Sequence, residues 1–224
     1  GSVADPRSDF QNNIYSLLEV FESARKKGCK VIFPSTASIY DPSNELPLSE
    51  KAYVKPTSPY AAAKVAGEAY CAAYHRSFGL DVRIARIFSV YGEGMNRFAI
   101  HDLIRKMQNN KSHITLLGDG KQIRDYLYIG DVVRGLEVIA SNGVPGEDYN
   151  LASGIGVNLL NLAHNIADLM GLSGINIVPT GQSFPGDVPQ WFADTSKIQR
   201  IGFEQKVCLE EGLKKAIDWL TKKN

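Results

Sequence analysis

The sequence is poor in residues that build covalent or metal-bound scaffolds. Its three cysteines, Cys29, Cys71 and Cys208, stand far apart, with no CxxC spacing and no cluster with the four histidines. That pattern speaks against a disulfide framework and a zinc site, so no metal is expected. The thiols read as buried groups of a protein in a reducing cytoplasm. Every apolar run is too short for a membrane span, no signal peptide is read at the start, and no membrane contact is expected. Charge of one sign is scarce too. The formal net charge is +1, without the basic excess of a nucleic-acid binder. Lysine-rich places such as Arg25–Lys27 and Lys214-Lys215 fall at helix ends or on polar helix faces, where solvated charge suffices. Repeats and low-complexity segments are also lacking.

What remains is ordinary for a globular chain: 44% hydrophobic and 22% charged residues over 224 positions, enough for one large domain or one and a half small ones. Residues 9–27 carry apolar side chains (Ile14, Leu17, Leu18, Phe21, Ala24) at spacings of three and four, which predicts a helix closed by Gly28. KVIFP at 30–34 reads as a buried strand. A polar loop with Pro42, Pro47 and Pro56 follows, then a helix from Ser58-Pro59 to about Phe78, capped by Gly79. DVRIARI at 81–87 is a second strand. Strands alternating with helices predict a parallel sheet with crossover helices. Later residues give helices near 98–109, 131–139, 159–170 and 209–220, and strands near 114–117, 126–129, 148–152 and 175–179. A change of domain is placed near Tyr91-Gly92: the end of a doubly wound sheet before it, a smaller mixed α/β cap after it.

Chemistry concentrates around Tyr60 and Lys64. A spacing of four puts both on one helix face, one turn apart. A free tyrosine, with a pKa of about 10, is a poor base at neutral pH. An ammonium one turn away favours the phenolate and is expected to lower that value, giving an acid/base for a substrate hydroxyl. By itself a Tyr and a Lys four apart is a common exposed pair. The strand KVIFP, however, runs into Ser35 and Thr36, at the carboxyl end where parallel sheets place their sites. A loop that caps its own backbone explains either hydroxyl singly, but not the full set with Ser-Pro-Tyr-x-x-x-Lys.

These stretches, with RIFSVYG at 86–92, GDGKQIRDYLYIGDV at 118–132, YNLASG at 149–154 and PGDVPQWFAD at 185–194, resemble the extended short-chain dehydrogenase/reductase family, NAD-dependent epimerase/dehydratase type, and within it the UDP-glucose 4-epimerase group. They occur in family order over nearly the whole chain. The resemblance implies an α/β fold: the C-terminal portion of a doubly wound, Rossmann-like domain at 1–92, interleaved with later segments, and a mainly substrate-binding cap at 93–224. It implies NAD as cofactor, a nucleotide-diphosphate sugar as substrate and a cytoplasmic homodimer. Thr36, Tyr60 and Lys64 would be the triad: Tyr60 takes the proton of the sugar 4-hydroxyl while hydride passes to NAD, Thr36 hydrogen-bonds that hydroxyl, and Lys64 holds the nicotinamide ribose. Phe88, with Tyr60 and Lys64, would face the cofactor. Asn13, Ser89, Arg124, Asp187 and Trp191 would serve the substrate side, Arg124 at the diphosphate and Trp191 beside the sugar's carbon-2 substituent. The plain alternatives are an ordinary helix asparagine for Asn13, an ion pair with Asp125 for Arg124, and core packing for Trp191. The dimer would form through the helices at 9–27 and 59–78, where Ala61, Ala62, Ala66 and Ala69 permit close approach.

Several departures temper the match. Relatives open with a strand, a Gly-x-x-Gly-x-x-Gly loop and a helix; nothing of that kind is here, so a truncated form is expected, and tight NAD binding by this chain alone is not. Gly118-Asp119-Gly120 reads as a turn. Gly154-x-Gly156 sits between a strand and a helix but lacks the third glycine and the acidic partner, so it too reads as a turn. Ser89 replaces an asparagine that touches the diphosphate in relatives, and Phe184 a second phosphate-binding arginine. Ala37-Ser38 stands where 4,6-dehydratases carry an Asp-Glu pair, which favours epimerisation. The competing readings are another nucleotide-sugar enzyme of the family, a reductase or dehydratase, and an inactive fragment kept as a binding or assembly module.

Overall fold

The computed structural model describes residues 2–182 and 189–222. Its central layer is three parallel strands, β1 (Val31–Thr36), β2 (Val82–Ile87) and β6 (Asp148–Leu151), in the order β1-β2-β6, with Thr36 opposite Ile87 and Ile87 opposite Leu151. Apolar side chains point to both faces of the sheet, and both faces are covered. On one, Phe33, Val82 and Ile84 pack with Phe21 and Ala24 of α2 (Ser16–Lys27) and Cys71 of α3 (Pro59–Phe78). On the other, Ala85, Tyr149 and Leu151 pack with Val132 and Ile139 of α5 (Ile129–Asn142) and Ile198 of α7 (Ser196–Arg200). This is the expected doubly wound arrangement.

A second layer follows in the chain. β3 (Ser89–Tyr91) lies parallel to β5 (Ile123–Tyr128), which also pairs antiparallel with β7 (Gly156–Asn158) and parallel with β9 (Gln190–Trp191). β4 (His113–Leu116) and β8 (Asn176–Pro179) form a separate parallel pair. The core here comes from α4 (Phe98–Asn109), α6 (Leu159–Leu169) and α8 (Leu209–Lys222), through buried Ile104, Met107, Leu162, Ile166 and Leu213. The layer changes between β2 and β3, ahead of Tyr91-Gly92, and the chain returns to the first layer with α5, β6 and α7.

Three details differ from the sequence expectations. The first helical stretch begins earlier, with α1 (Pro6–Phe10), because Asp5 caps it by accepting from the Ser8 amide at 3.0 Å and Pro6 suits the first helical position. It then passes through a π-helical turn at Gln11–Tyr15 before α2. Of the cysteines only Cys71 is buried; Cys29 and Cys208 are exposed. Ala61 is buried within the chain, which removes it from any outer helix face, whereas Ala62 and Ala69 are exposed. Among the described residues, no helix is long and apolar enough to cross a membrane.

Candidate active site

Local sequence sets the three central side chains in place. Thr36 ends β1 and caps the short 3-10 turn Ala37–Ile39, its hydroxyl accepting from the Ser38 amide at 3.2 Å. Ser58 caps α3 by accepting from the Ala61 amide at 3.2 Å, and Pro59 takes the first helical position, which fixes Tyr60 in the opening turn. Further along, α3 approaches β1 so closely at Gly67 that an added Cβ would fall 2.4 Å from the Phe33 ring. That contact sets the height of α3 over the sheet. Lys64 bridges the two elements: its Nζ donates to the Pro34 carbonyl at 2.9 Å and lies 5.0 Å from the Phe33 ring centre and 5.7 Å from that of Tyr60.

The electrostatics differ from the sequence expectation in one respect. Burial pushes the Tyr60 phenol above its usual value; the Thr36 hydroxyl pulls it down, Asp9 pushes it up and Arg97 pulls it down. The expected lowering by Lys64 is not what dominates, because the ammonium is engaged by the Pro34 carbonyl and Tyr60 is partly desolvated. Lys64 itself is drawn down by burial and pushed back up by Asp9. The resting pair is therefore a neutral phenol, an acid in form, beside an amine whose charge burial disfavours.

Thr36, Tyr60, Lys64, Phe88, Ser89 and Arg124 all line one cleft of about 900 Å³, a volume ordinary for a small-molecule site. Other candidates do not. Asn13 lies in the π-helical turn, and its amide donates to the Asp9 carbonyl at 3.0 Å and carboxylate at 3.2 Å. Trp191 packs against the cluster of Ala37, Ile39 and Phe88, with the Arg124 guanidinium 5.4 Å from its ring centre. Asp187 and Phe184 lie outside the described residues. The alternative ion pair of Arg124 with Asp125 gives way to another use of Asp125. That buried carboxylate accepts from the Ser153 amide and hydroxyl at 2.7 and 2.6 Å, the Gly154 amide at 2.9 Å and the Ala193 amide at 3.2 Å. Burial still holds its carboxyl above the usual range against those donors. The Gly154 turn, with φ at +79°, is thus closed on a carboxylate.

Two groups of residues were missed from sequence. Asp9 and Arg97 line the cleft; Asp9, four residues before Asn13, carried only a spacing signal. Beneath the cleft, buried Arg86 donates to Glu68 through Nε at 3.0 Å and Nη2 at 2.7 Å, and pairs with Asp148 at 2.6 Å. Its Nη1 donates to the Tyr40 hydroxyl at 3.1 Å, and that hydroxyl donates to Asn150 at 2.7 Å. Burial opposes the Arg86 charge, but Glu68 and Asp148 more than restore it. The readable signals were an arginine inside an apolar strand and a glutamate continuing the four-residue spacing of Tyr60 and Lys64.

Donor chemistry tests whether a nicotinamide dinucleotide fits. Lys64 spends one of its three N–H donors on Pro34, leaving a cationic donor beside a phenol at the cleft. That set suits the hydroxyls of a ribose, so the nicotinamide-ribose end fits. Among the described residues no glycine loop before a helix presents itself to a pyrophosphate.

Comparison with known proteins gives the family of the chain. Residues 1–152 match the profile of the NAD dependent epimerase/dehydratase family. The chain is 35% identical to the UDP-glucuronate 4-epimerase of Thermodesulfobacterium geofontis, over 97% of this chain and 68% of that protein. Among solved structures it resembles the UDP-N-acetylglucosamine 4-epimerase of Methanobrevibacter ruminantium M1 in complex with UDP-N-acetylmuramic acid, at TM-score 0.93 and 30% identity, covering 100% of this chain and 73% of that one. It also resembles the UDP-glucose 4-epimerase of Thermotoga maritima with UDP-glucose, at TM-score 0.92 and 30% identity, covering 99% and 73%. Some longer curated relatives are matched over 32% of their length.

Proposed function

Because the chain belongs to the NAD-dependent epimerase/dehydratase family, we propose that it inverts carbon 4 of a hexose carried on a nucleoside diphosphate. NAD, when bound, supplies the acceptor and donor of hydride. The chain's own residues do the rest. Tyr60, neutral at rest, first releases its own proton to solvent; as phenolate it then takes the proton of the 4-hydroxyl as the carbon–hydrogen bond breaks, leaving a 4-keto sugar, and returns that proton after the ketone has turned over. Thr36 donates to the same oxygen and orients it. Lys64 offers its ammonium to the nicotinamide ribose and counters the phenolate charge. Phe88 walls the cofactor side. Arg124 and Ser89 meet the diphosphate, for which a guanidinium fork is suited.

The observation that carries this reading is the convergence of Thr36 from β1 with Tyr60 and Lys64 from α3 on a cleft that also reaches Arg124. Dehydration is disfavoured because it requires an acid and a base at neighbouring carbons. Asp9 is the carboxylate that lines the cleft among the described residues, and Ala37-Ser38 offers none. A homodimer through α2 and α3 belongs to the same reading, supported by exposed Tyr15, Val20, Tyr70 and Phe78 on these helices and the turn before them. Light scattering that shows only monomer at micromolar concentration would remove it. The activity is tested by incubating the protein with NAD and UDP-glucose and following carbon-4 inversion by proton magnetic resonance. Loss of the UDP-glucose signal together with gain of its 4-epimer is expected; accumulation of a 6-deoxy-4-keto sugar instead would overturn the reading.

A further inference from the structure

We propose that Asp9 is a positioning residue for the proton chemistry of the cleft: the Asn13 amide fixes its carboxylate on the α1 side of the cleft that Tyr60 and Lys64 also line, where it biases the ionisation of that pair. The inference deepens the acid/base role given to Tyr60 and rests on that reading.

The geometry is local and specific. Asp9, Tyr60 and Lys64 line the same cleft, and α1 packs directly on α3. Asn13 lies four residues after Asp9 and grips both its carbonyl and its carboxylate, at 3.0 and 3.2 Å. This gives Asn13 a task without any contact to ligand. It holds an acid that lines the same cleft as the pair, from within the π-helical turn Gln11–Tyr15.

The charges around the pair can be read element by element. Tyr60 feels Asp9 from α1 and Arg97 from the turn ahead of α4, which act in opposite directions. Lys64, on its own helix, lies 5.7 Å from its ring centre. Lys64 feels Asp9, which works against the burial that disfavours its charge. Arg124 on β5 lines the same cleft. A carboxylate beside an ammonium favours the charged amine, and beside a phenol it disfavours the phenolate. Removing it should move both ionisations the same way, to lower pH. Loss of a merely structural contact would not produce that paired response.

Tyrosine ionisation can be followed by ultraviolet absorbance across alkaline pH, and the difference between the parent protein and Tyr60→Phe isolates the Tyr60 transition from the other nine tyrosines. No substrate or turnover is needed, so failure here is separable from failure of the epimerase reading. In Asp9→Asn the Tyr60 midpoint is expected to shift to lower pH. Lys64 acylation at fixed pH, read by peptide mass spectrometry, is expected to rise because more of the amine is neutral. Asp9→Glu, which keeps the charge, should restore both. An unchanged Tyr60 midpoint in Asp9→Asn overturns the proposal. Should Asp9→Asn lose its fold by circular dichroism, Asn13→Ala decides: release of the carboxylate must shift the midpoint in the same direction, and no shift overturns the proposal.

Discussion

Beneath α3, charges are answered at hydrogen-bond range. The Arg86 guanidinium meets Glu68, Asp148, Tyr40 and the Glu50 carbonyl. On the cleft side of the same helix, Tyr60 is 37% exposed, and Lys64 engages one carbonyl and two ring faces. The lower cluster binds α3 to β2 and leaves little ionisation to adjust, since every partner is committed. The upper pair stays half-solvated, and its proton affinities are set by a few neighbours. One helix therefore carries a reacting pair and, one turn further along the same four-residue spacing, a fastening. Substitutions below should cost stability, and those above should cost chemistry.

The largest expected effect is on the upper face. Tyr60→Phe should lower turnover about 10²–10⁴-fold, the usual worth of a positioned acid/base, and leave the thermal midpoint near the parent's. A variant that keeps more than half the parent rate would remove Tyr60 from the chemistry and erase the distinction. Below, Glu68→Ala leaves Arg86 buried with Asp148 as its remaining carboxylate. Breaking a buried pair from one side should cost about 3 kcal/mol, read from denaturant unfolding. If stability holds and only rate falls, the lower cluster is not the fastening. Gly67→Ala sharpens the same point by steric means. Its new methyl must displace a buried ring, which should cost about 1–3 kcal/mol and lift Tyr60 and Lys64 away from Thr36. Loss of both stability and rate is expected, where the other two variants separate them.

Much of this was readable from residues with local meaning. Ser58-Pro59 and Gly79 bound α3 because capping and backbone freedom are local properties. The span 98–109 is matched by α4 because its apolar spacing is long enough to be periodic. β3, β7 and β9, of two or three residues each, carry no period and escaped notice. The plain alternative for Arg124, an ion pair with its neighbour Asp125, rests on nearness in sequence, whereas the partners of Asp125 come from Ser153, Gly154 and Ala193, far along the chain. The direction of the Tyr60 shift could not be read from spacing either. A four-residue interval gives the nearness of Lys64 but not the burial that outweighs it.

The smallest expected effect concerns Trp191, which packs beside cleft-lining Phe88 and Arg124 without lining the cleft itself. Its ring packs on the buried cluster around Phe88 and under the Arg124 guanidinium. Its indole Nε1, however, is buried without a hydrogen-bond partner. A buried, unsatisfied donor typically costs about 1–3 kcal/mol. Trp191→Phe deletes that donor and keeps an aromatic face for the guanidinium, but gives up apolar area worth about 25 cal/mol per Å². The two terms oppose each other, so unfolding stability should change by less than about 1 kcal/mol in either direction. Trp191→Leu loses the flat ring as well and should additionally weaken a stacking contact worth about 0.5–2 kcal/mol. If the phenylalanine variant matches the parent in stability but binds UDP-glucose more weakly by calorimetry, the orphaned N–H serves the ligand and Trp191 belongs to the reacting side. Equal binding would place the indole with the fastening, as packing that happens to carry a polar atom.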